Sequence, residues 1–253
     1  MDQHGLVTQQ FGSTAKNYLT SAVHAQGADL QRLSDLARQL QPKRILDLGC
    51  GGGHASYALA AAAASEVVAY DLSDEMLAVV EEEAKQRGLG NLATRQGSAE
   101  ALPFDDSSFE LIASRYSAHH WMRINESIAE AARVLAPGGT LIIIDVAAPE
   151  TPLYDTVLQT VELLRDSSHV RDYRLSEWRA MLGAAGLSVM NSDSWKLPLA
   201  FDSWIKRIGT PPDRVAALNA TMKALPREAY EYFAIQADHS FSIDTVWIEA
   251  RRD

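Results

Sequence analysis

The chain has 253 residues, of which 47% are hydrophobic and 22% charged, with a formal net charge of -10 at pH 7 and an isoelectric point near 5.2. That is globular composition, which excludes disordered and fibrous classes and allows one α/β core with an appendage. The acidic balance opposes nucleic acid as a partner, one cysteine (Cys50) excludes an internal disulfide, and no apolar run is long enough to cross a bilayer.

The start, Met1-Asp2-Gln3-His4, carries neither the basic nor the apolar part of a secretion signal, so a cytoplasmic protein is expected. Phe11 to Tyr18 is polar with two aromatics and reads either as a loose arm or as a flap over a site. Leu30, Leu33, Ala37 and Leu40 then fall on one helical stripe, which Pro42 stops.

Ile45 to Leu48 reads as a buried parallel strand that ends in the turn Gly49-Cys50-Gly51-Gly52-Gly53 and feeds the alanine-rich helix Ala55 to Ala64. Glu66 to Tyr70 is a second strand with Asp71 at its carboxyl end. Ser73 is placed to cap the next helix, with Asp74 and Glu75 in its first turn and Leu77, Val80 and Ala84 on its apolar stripe. Leu92 to Gln96 and Phe109 to Ser114 are further strands. Ile124 to Leu135 is a helix closed by Pro137-Gly138-Gly139, and Thr140 to Val146 is a nearly all-apolar strand.

Another helix opens at Leu175 and ends near Gly183 to Gly186, followed by a strand from Leu187. A last strand spans Thr245 to Ala250. Between these two strands, Phe201 to Ile208, Pro212 to Ala224 and Pro226 to Phe233 are short helical pieces separated by prolines, and they read as a cap. The alternation predicts an α/β, Rossmann-like, doubly wound and mostly parallel seven-stranded sheet, with helices on both faces and a small helical cap. One domain is expected over 1–253: a helical flap in 1–42, a cofactor-binding core in 43–150, and the rest of the sheet in 151–253 with the cap at about 201–236.

Such sheets bind ligands beyond their strands' carboxyl ends. The dinucleotide pattern G-x-G-x-x-G fails here, because its third glycine is replaced by His54 or by Ser56, depending on the starting glycine. The phosphate-cradling Gly-Lys-Ser/Thr ending is absent as well. What remains is Asp47-x-Gly49-x-Gly51-x-Gly53, with an acid at Asp71 where a carboxylate can accept both hydroxyls of a ribose. A nucleoside with an amino-acid tail satisfies both features without phosphates.

Four segments carry a family likeness: Ile45 to Gly53, Val68 to Leu77, Gln96 to Phe104 and Arg133 to Gly139. In order and spacing they resemble the class I S-adenosylmethionine-dependent methyltransferases, especially the ubiquinone and menaquinone methyltransferase group. The resemblance implies S-adenosyl-L-methionine as cofactor, with S-adenosyl-L-homocysteine as product. By the same likeness Gly49, Cys50 and Gly51 meet the methionine portion, Asp47 orients the loop, Asp71 binds the ribose, and Leu72 and Met76 pack on adenine. The family's usual Asp-Ala at the adenine is Ser98-Ala99 here, so Ser98 or Glu100 is expected to replace the carboxylate. Tyr18 falls where relatives fold a segment over the cofactor, which favours the flap.

Ser114-Arg115-Tyr116-Ser117-Ala118-His119-His120-Trp121 follows the fourth strand and is expected beside the transferable methyl group. Ser114 and Arg115 are expected at the cofactor, and His119 or His120 is a candidate base, set against the plainer role of packing or capping. No metal is expected, because adjacent histidines point apart and no third ligand is spaced nearby. Cys50 reads as a small buried filler, not a nucleophile. Trp195, Trp204, Tyr230, Tyr232 and Phe233, with Arg207 and His239, are candidates to line an acceptor pocket. The expected activity is methyl transfer to an O, N or C atom of a small, planar or aromatic molecule. The rivals are a nucleotide-dependent oxidoreductase and a non-catalytic binding protein.

Overall fold

The computed structural model describes residues 1–12 and 27–253. Five consecutive strands pair in parallel: β1 (Arg44–Leu48), β2 (Glu66–Asp71), β3 (Leu92–Gln96), β4 (Phe109–Arg115) and β5 (Leu135–Ala148). β7 (Leu187–Leu199) and β8 (Phe241–Arg252) complete the order β3-β2-β1-β4-β5-β8-β7, in which β8 runs antiparallel to both its neighbours. A two-residue strand, β6 (Tyr173–Arg174), adds a parallel pairing to the end of β5. The chain order reverses between β1 and β4, which opens a crevice beyond their carboxyl ends.

The apolar strands are buried on both faces because successive side chains point to opposite sides. Ile45, Leu111, Ile142 and Ile144 join α2 (Ala28–Leu40) and α3 (His54–Ala62) in one core layer. Leu46, Ile112, Leu141 and Ile143 join α5 (Ile124–Val134) and α7 (Leu175–Ala184) in the other. α4 (Asp74–Gln86) packs Leu77 and Val80 against Tyr57 and Ala69, and the Ser73 hydroxyl caps it by accepting the Met76 N–H.

Three local expectations change. Leu40 is exposed at the end of its helix, where Gln41 adopts a left-handed cap ahead of Pro42. Pro137-Gly138-Gly139 does not close α5. The helix ends at Val134, and these residues form an irregularity inside β5, where pairing jumps from Phe109 with Leu135 to Leu111 with Thr140. An additional helix, α6 (Pro152–Arg165), follows β5 and starts with its proline in the first turn, where a missing N–H costs nothing.

α8 (Phe201–Ile208), α9 (Pro212–Lys223) and α10 (Arg227–Tyr232) are inserted between β7 and β8. With α6 they bury Leu158, Trp204, Leu218 and Phe233 against Val146 and Ala148 at the carboxyl end of β5. The cap therefore shares its core with the sheet's ligand-binding edge. α1 (Gln3–Gly12) lies across the same edge, with Gln3 donating to the Ser168 carbonyl and Gln10 to the Ile208 carbonyl.

Candidate active site

Where β1 ends, the N–H groups of Gly49 and Cys50 both donate to the Tyr70 carbonyl, which folds the turn against β2. Gly49 has φ +75, and a Cβ there would lie 1.9 Å from the Ser117 hydroxyl. Gly51, with φ +49, differs: its Cβ would meet nothing within 4 Å and would stand in the open crevice. The Gly51 N–H donates to Asp71 Oδ2 at 2.8 Å, while Asp71 Oδ1 accepts the Ser73 N–H at 3.0 Å. The Leu72 N–H points to the same carboxylate as well, and since a carboxylate offers about four acceptor positions, capacity remains for a ligand. Burial raises the Asp71 pKa, against the pull of these backbone donors.

Asp47 is 1% exposed and accepts the Ser56 hydroxyl at 2.5 Å; burial outweighs that bond and pushes its pKa up to about 6. Burial likewise drives the Cys50 thiol well above its ordinary value, as a filler requires. Arg115 is held at 2.5 Å from Asp29, both side chains being 5% exposed.

Three cavities meet in this region. The first, about 680 Å³ of empty space including its mouth, is lined by Asp71, Leu72, Met76, Ser98, Ala99 and Glu100, among others. The Ser98 hydroxyl bonds the Glu100 carboxylate, whose other oxygen accepts the N–H groups of Met122 and Arg123. The second, about 590 Å³, is lined by His119, His120, Glu162, Asp172, Leu199 and Trp204, among others. The third, about 490 Å³, runs along Asp47, Gly49, Cys50, Gly51, His54 and Arg115. Phe11 and Tyr116 line all three. Tyr116 reaches that junction with a left-handed backbone, φ +52, a costly conformation for a bulky side chain. Its N–H is held by the Ile144 carbonyl at 2.8 Å.

The two histidines stand on a single 3₁₀ turn, Ala118–His120, and the expectation that they point apart is corrected. Their ring centroids are 4.2 Å apart, because Asp145 and Ser168 anchor the two rings on one side of the second cavity. His119 Nδ1 lies 2.6 Å from Asp145 Oδ1, and Asp145 also accepts the N–H groups of Ala118 and Val146. Burial alone would lower the His119 pKa, but the Asp145 carboxylate overrides it and lifts the value to about 9. His120 moves the other way, to about 4, through burial and the neighbouring His119 charge. Its Nδ1 is 3.1 Å from the Ser168 carbonyl, and its ring meets Phe11 edge-on at 4.8 Å.

Of the residues singled out in the sequence, Asp71, Leu72, Met76, Ser98, Ala99 and Glu100 come together around the first cavity, and Asp47, Cys50 and Arg115 around the third. Gly49 and Gly51 border both. His120 borders the first and second, His119 the second. Ser114 is buried in β4 and lines none of the three. Tyr18 lies outside the described residues. Among the aromatics expected at an acceptor, Trp204 lines the second cavity. Tyr230, Tyr232 and Phe233 instead pack in the cap core, and Trp195 packs in the α2–α3 core layer. Arg207 borders the second cavity, whereas His239 is turned to Asn219, 2.6 Å away.

Sequence reasoning missed Asp145, Glu162, Asp166 and Asp172. For Asp145 a signal exists, an acid inside an otherwise apolar strand; the other three lie on α6 and the stretch after it. The expectation that no third ligating group stands near the histidines is corrected too. Ligating atoms of His119, Asp145 and Asp172 lie within 4.8 Å of one another, because β5 and the residues after α6 bring the acids to the turn.

A glycine turn and a buried carboxylate side by side beyond the carboxyl ends of a Rossmann-like sheet are the arrangement of an S-adenosylmethionine-dependent methyltransferase. Residues 46–143 match the family described as a methyltransferase domain. The chain is 38% identical over 225 residues to YcgJ of Bacillus subtilis (strain 168), described as an uncharacterized methyltransferase, covering 89% of this chain and 88% of the relative. It therefore belongs to the methyltransferase family. It is also 47% identical over 188 residues to the uncharacterized protein YafE of Escherichia coli (strain K12), covering 74% of this chain and 91% of that one. The solved YcgJ structure superposes with a TM-score of 0.83 at 35% identity, over 88% of this chain and 98% of that one. A demethylmenaquinone methyltransferase of Thermus thermophilus is 35% identical over 144 residues, 55% of this chain and 65% of its own length.

This chain is thus an enzyme whose cofactor is S-adenosylmethionine, and the oxidoreductase and non-catalytic readings fall away. Its residues fit that cofactor: the crevice at Gly51 is where a Cβ would intrude, and Asp71 keeps acceptor capacity beside it. No helix among the described residues is long and apolar enough to cross a membrane.

Proposed function

We propose that this methyltransferase transfers the methyl group to an oxygen, nitrogen or carbon atom of a small planar or aromatic molecule held in the second cavity. The observation that carries the reading is the meeting of three cavities at Phe11 and Tyr116. A sulfonium has three substituents, and here the first cavity suits an adenosine, the third an amino-acid tail, and the second the acceptor that faces the methyl group. The lining of the second cavity combines apolar residues (Val146, Leu197, Leu199, Ile243) with ionisable ones, which suits a ring with a polar substituent. The demethylmenaquinone methyltransferase relative supports a quinone-like ring.

In this reading Asp71 holds the ribose, Leu72 and Met76 flank the adenine, and the Ser98–Glu100 pair with Ala99 replaces the family's usual carboxylate contact. Asp47 braces the turn while Gly49, Cys50, Gly51 and Arg115 surround the amino-acid tail. When bound, the cofactor supplies a methyl group activated by its positive sulfur. The protein's part is alignment and exclusion of water, to which α1 contributes by lying over the first cavity with His4, Val7 and Phe11. His120 stays neutral near pH 7; with Nδ1–H donated to Ser168, its Nε2 lone pair can take the acceptor's proton. His119, held protonated by Asp145, supplies a fixed positive charge to the acceptor. α1 serves as flap, 43–150 as cofactor core and about 201–236 as cap of one domain, working in the cytoplasm, whereas α2, expected with the flap, covers the sheet instead.

The test is mass spectrometry of ligand released from gently purified protein, followed by screening with a methyl-labelled cofactor. Label should enter the small-molecule fraction of a cell extract. Label found only in protein or nucleic acid would overturn the assignment.

A further inference from the structure

The second cavity contains a carboxyl group that the arrangement above leaves idle. Asp172 is 1% exposed, and neither of its side-chain oxygens has a hydrogen-bond partner among the described residues. Buried carboxyl groups without a donor are rare in native structures, and each points to something that the side chains alone do not supply. His169 is the nearest basic side chain measured against it, at 3.8 Å. Burial and the other histidines drive the His169 pKa down to about 2, so that ring stays neutral and offers no charge.

His119 stands beside Asp172, their ligating atoms within 4.8 Å. The Nδ1 edge of its ring is committed to Asp145, which leaves Nε2 for the cavity that His119 and Asp172 both line. The groups facing this pair come from every element around it: His120 on the same turn, Asp145 on β5, Glu162 and Arg165 on α6, Asp166 and His169 after it, and Arg207 on α8. The apolar residues Leu197, Leu199 and Ile243 border the same chamber. It thus carries two hydrogen-bonding groups side by side, His119 and a carboxyl that burial and the Glu162 carboxylate hold well above its ordinary pKa, with apolar surface around them.

We propose that the acceptor is a phenol or enol bearing a second oxygen on a neighbouring carbon, bound through one oxygen to His119 Nε2 and through the other to Asp172. Two oxygens so placed are themselves about 2.7 Å apart, so each can reach its own partner across the gap between His119 and Asp172. His119 donates to the oxygen that becomes anionic, and the Asp172 carboxyl, kept protonated by burial, donates its O–H to the neighbouring oxygen. The first O–H proton passes to His120 Nε2. The new bond joins the methyl carbon to the acceptor's oxygen or adjacent ring carbon, and the sulfur–methyl bond breaks with its electron pair kept by sulfur. A neutral cofactor product, a methylated acceptor and one proton result. The inference rests on the reading that the second cavity holds the acceptor.

The test loads the protein with S-adenosylhomocysteine in buffer containing a chelator and titrates it with 4-nitrocatechol, 4-nitrophenol and benzylamine, following the nitrophenolate absorption. The vicinal diol should bind about tenfold more tightly than the monophenol, and its ionisation should move down by about one pH unit on binding. Asp172→Leu should bring the two phenols to within about twofold, and His119→Gln should abolish the ionisation shift. Asp172→Ala, which likewise removes every hydrogen-bonding atom of the side chain, provides the same comparison should the leucine variant fail to fold. Equal binding of both phenols by the unaltered protein, a preference that survives loss of the carboxyl group, or binding of benzylamine alone overturns the inference. S-Adenosylhomocysteine affinity should stay the same in these variants. Its absence from the unaltered protein would instead overturn the placement of the cofactor.

Discussion

Replacing Asp71 by alanine removes the acceptor of structural backbone N–H groups and the acceptor capacity that faces the cavity. The Gly51 and Ser73 N–H groups, at 2.8 and 3.0 Å, lose their partner, so the glycine turn loosens where the cofactor backbone contacts are expected. A lost hydrogen bond to a charged group costs about 1–3 kcal/mol, which corresponds to a 5- to 150-fold rise in Kd, on the order of the effect expected here. S-Adenosylmethionine and S-adenosylhomocysteine should weaken equally, because a ribose contact does not sense the charge on sulfur. Folding stability should fall by about 1 kcal/mol, since the freed N–H groups border an open crevice that water enters. Asp71→Asn should lie between, having one acceptor oxygen where the carboxylate has two. Titration calorimetry with both nucleosides, together with denaturant unfolding, measures each quantity. Unchanged affinity in Asp71→Ala would refute the ribose assignment, and a loss confined to S-adenosylmethionine would place the acid at the sulfonium instead.

Gly51→Ala should cost about 1–2 kcal/mol of stability for its left-handed backbone yet abolish nucleoside binding, since its Cβ enters empty crevice; calorimetry at matched stability checks this. Removing one member of the buried Arg115–Asp29 pair, as in Asp29→Ala, should destabilise by about 3–5 kcal/mol, whereas Asp29→Leu with Arg115→Met should cost less; thermal unfolding orders the variants. His119 binds its proton more tightly folded than unfolded, its pKa rising from 6.5 to about 9. Its contribution, about 3 kcal/mol, is therefore complete below pH 6.5 and lost as pH rises to about 9. His120 and His169, at about 4 and about 2, act oppositely, so stability climbs toward pH 6.5 before it declines. His119→Gln should flatten the alkaline decline in unfolding curves taken across pH and also soften the acid-side climb, because the His119 charge helps depress His120 and His169.

Local pattern determined most of the sheet and one side of the site. Ile45–Leu48 and Thr140–Val146 are apolar on both parities, so they must be strands covered on two faces, and the helices between them supply the covers. The turn at Gly49–Gly53 and the acid at Asp71 were legible because both belong to strand ends that a parallel register brings side by side. Short-range chemistry also marked the cap of α4 at Ser73 and the helices that fill the cap. The same pattern mistook Pro137-Gly138-Gly139 for a helix stop, because a break in helical propensity does not reveal a bulge set by pairing with β4.

The acceptor chamber depended on contacts distant in the chain, which no spacing rule encodes. Asp145 reaches His119 across 26 residues, the Ser168 carbonyl reaches His120 across 48, and Phe11 joins them from α1. The opposite protonation of two adjacent histidines follows from those partners and not from the dipeptide itself. Sequence alone determined the strands, the glycine turn and the class of cofactor, because periodicity, turn chemistry and one charge are local properties. Tertiary structure alone decided which acids face the histidines and which aromatics line a cavity instead of filling a core, because burial and electrostatics depend on what the folded chain brings within a few ångströms.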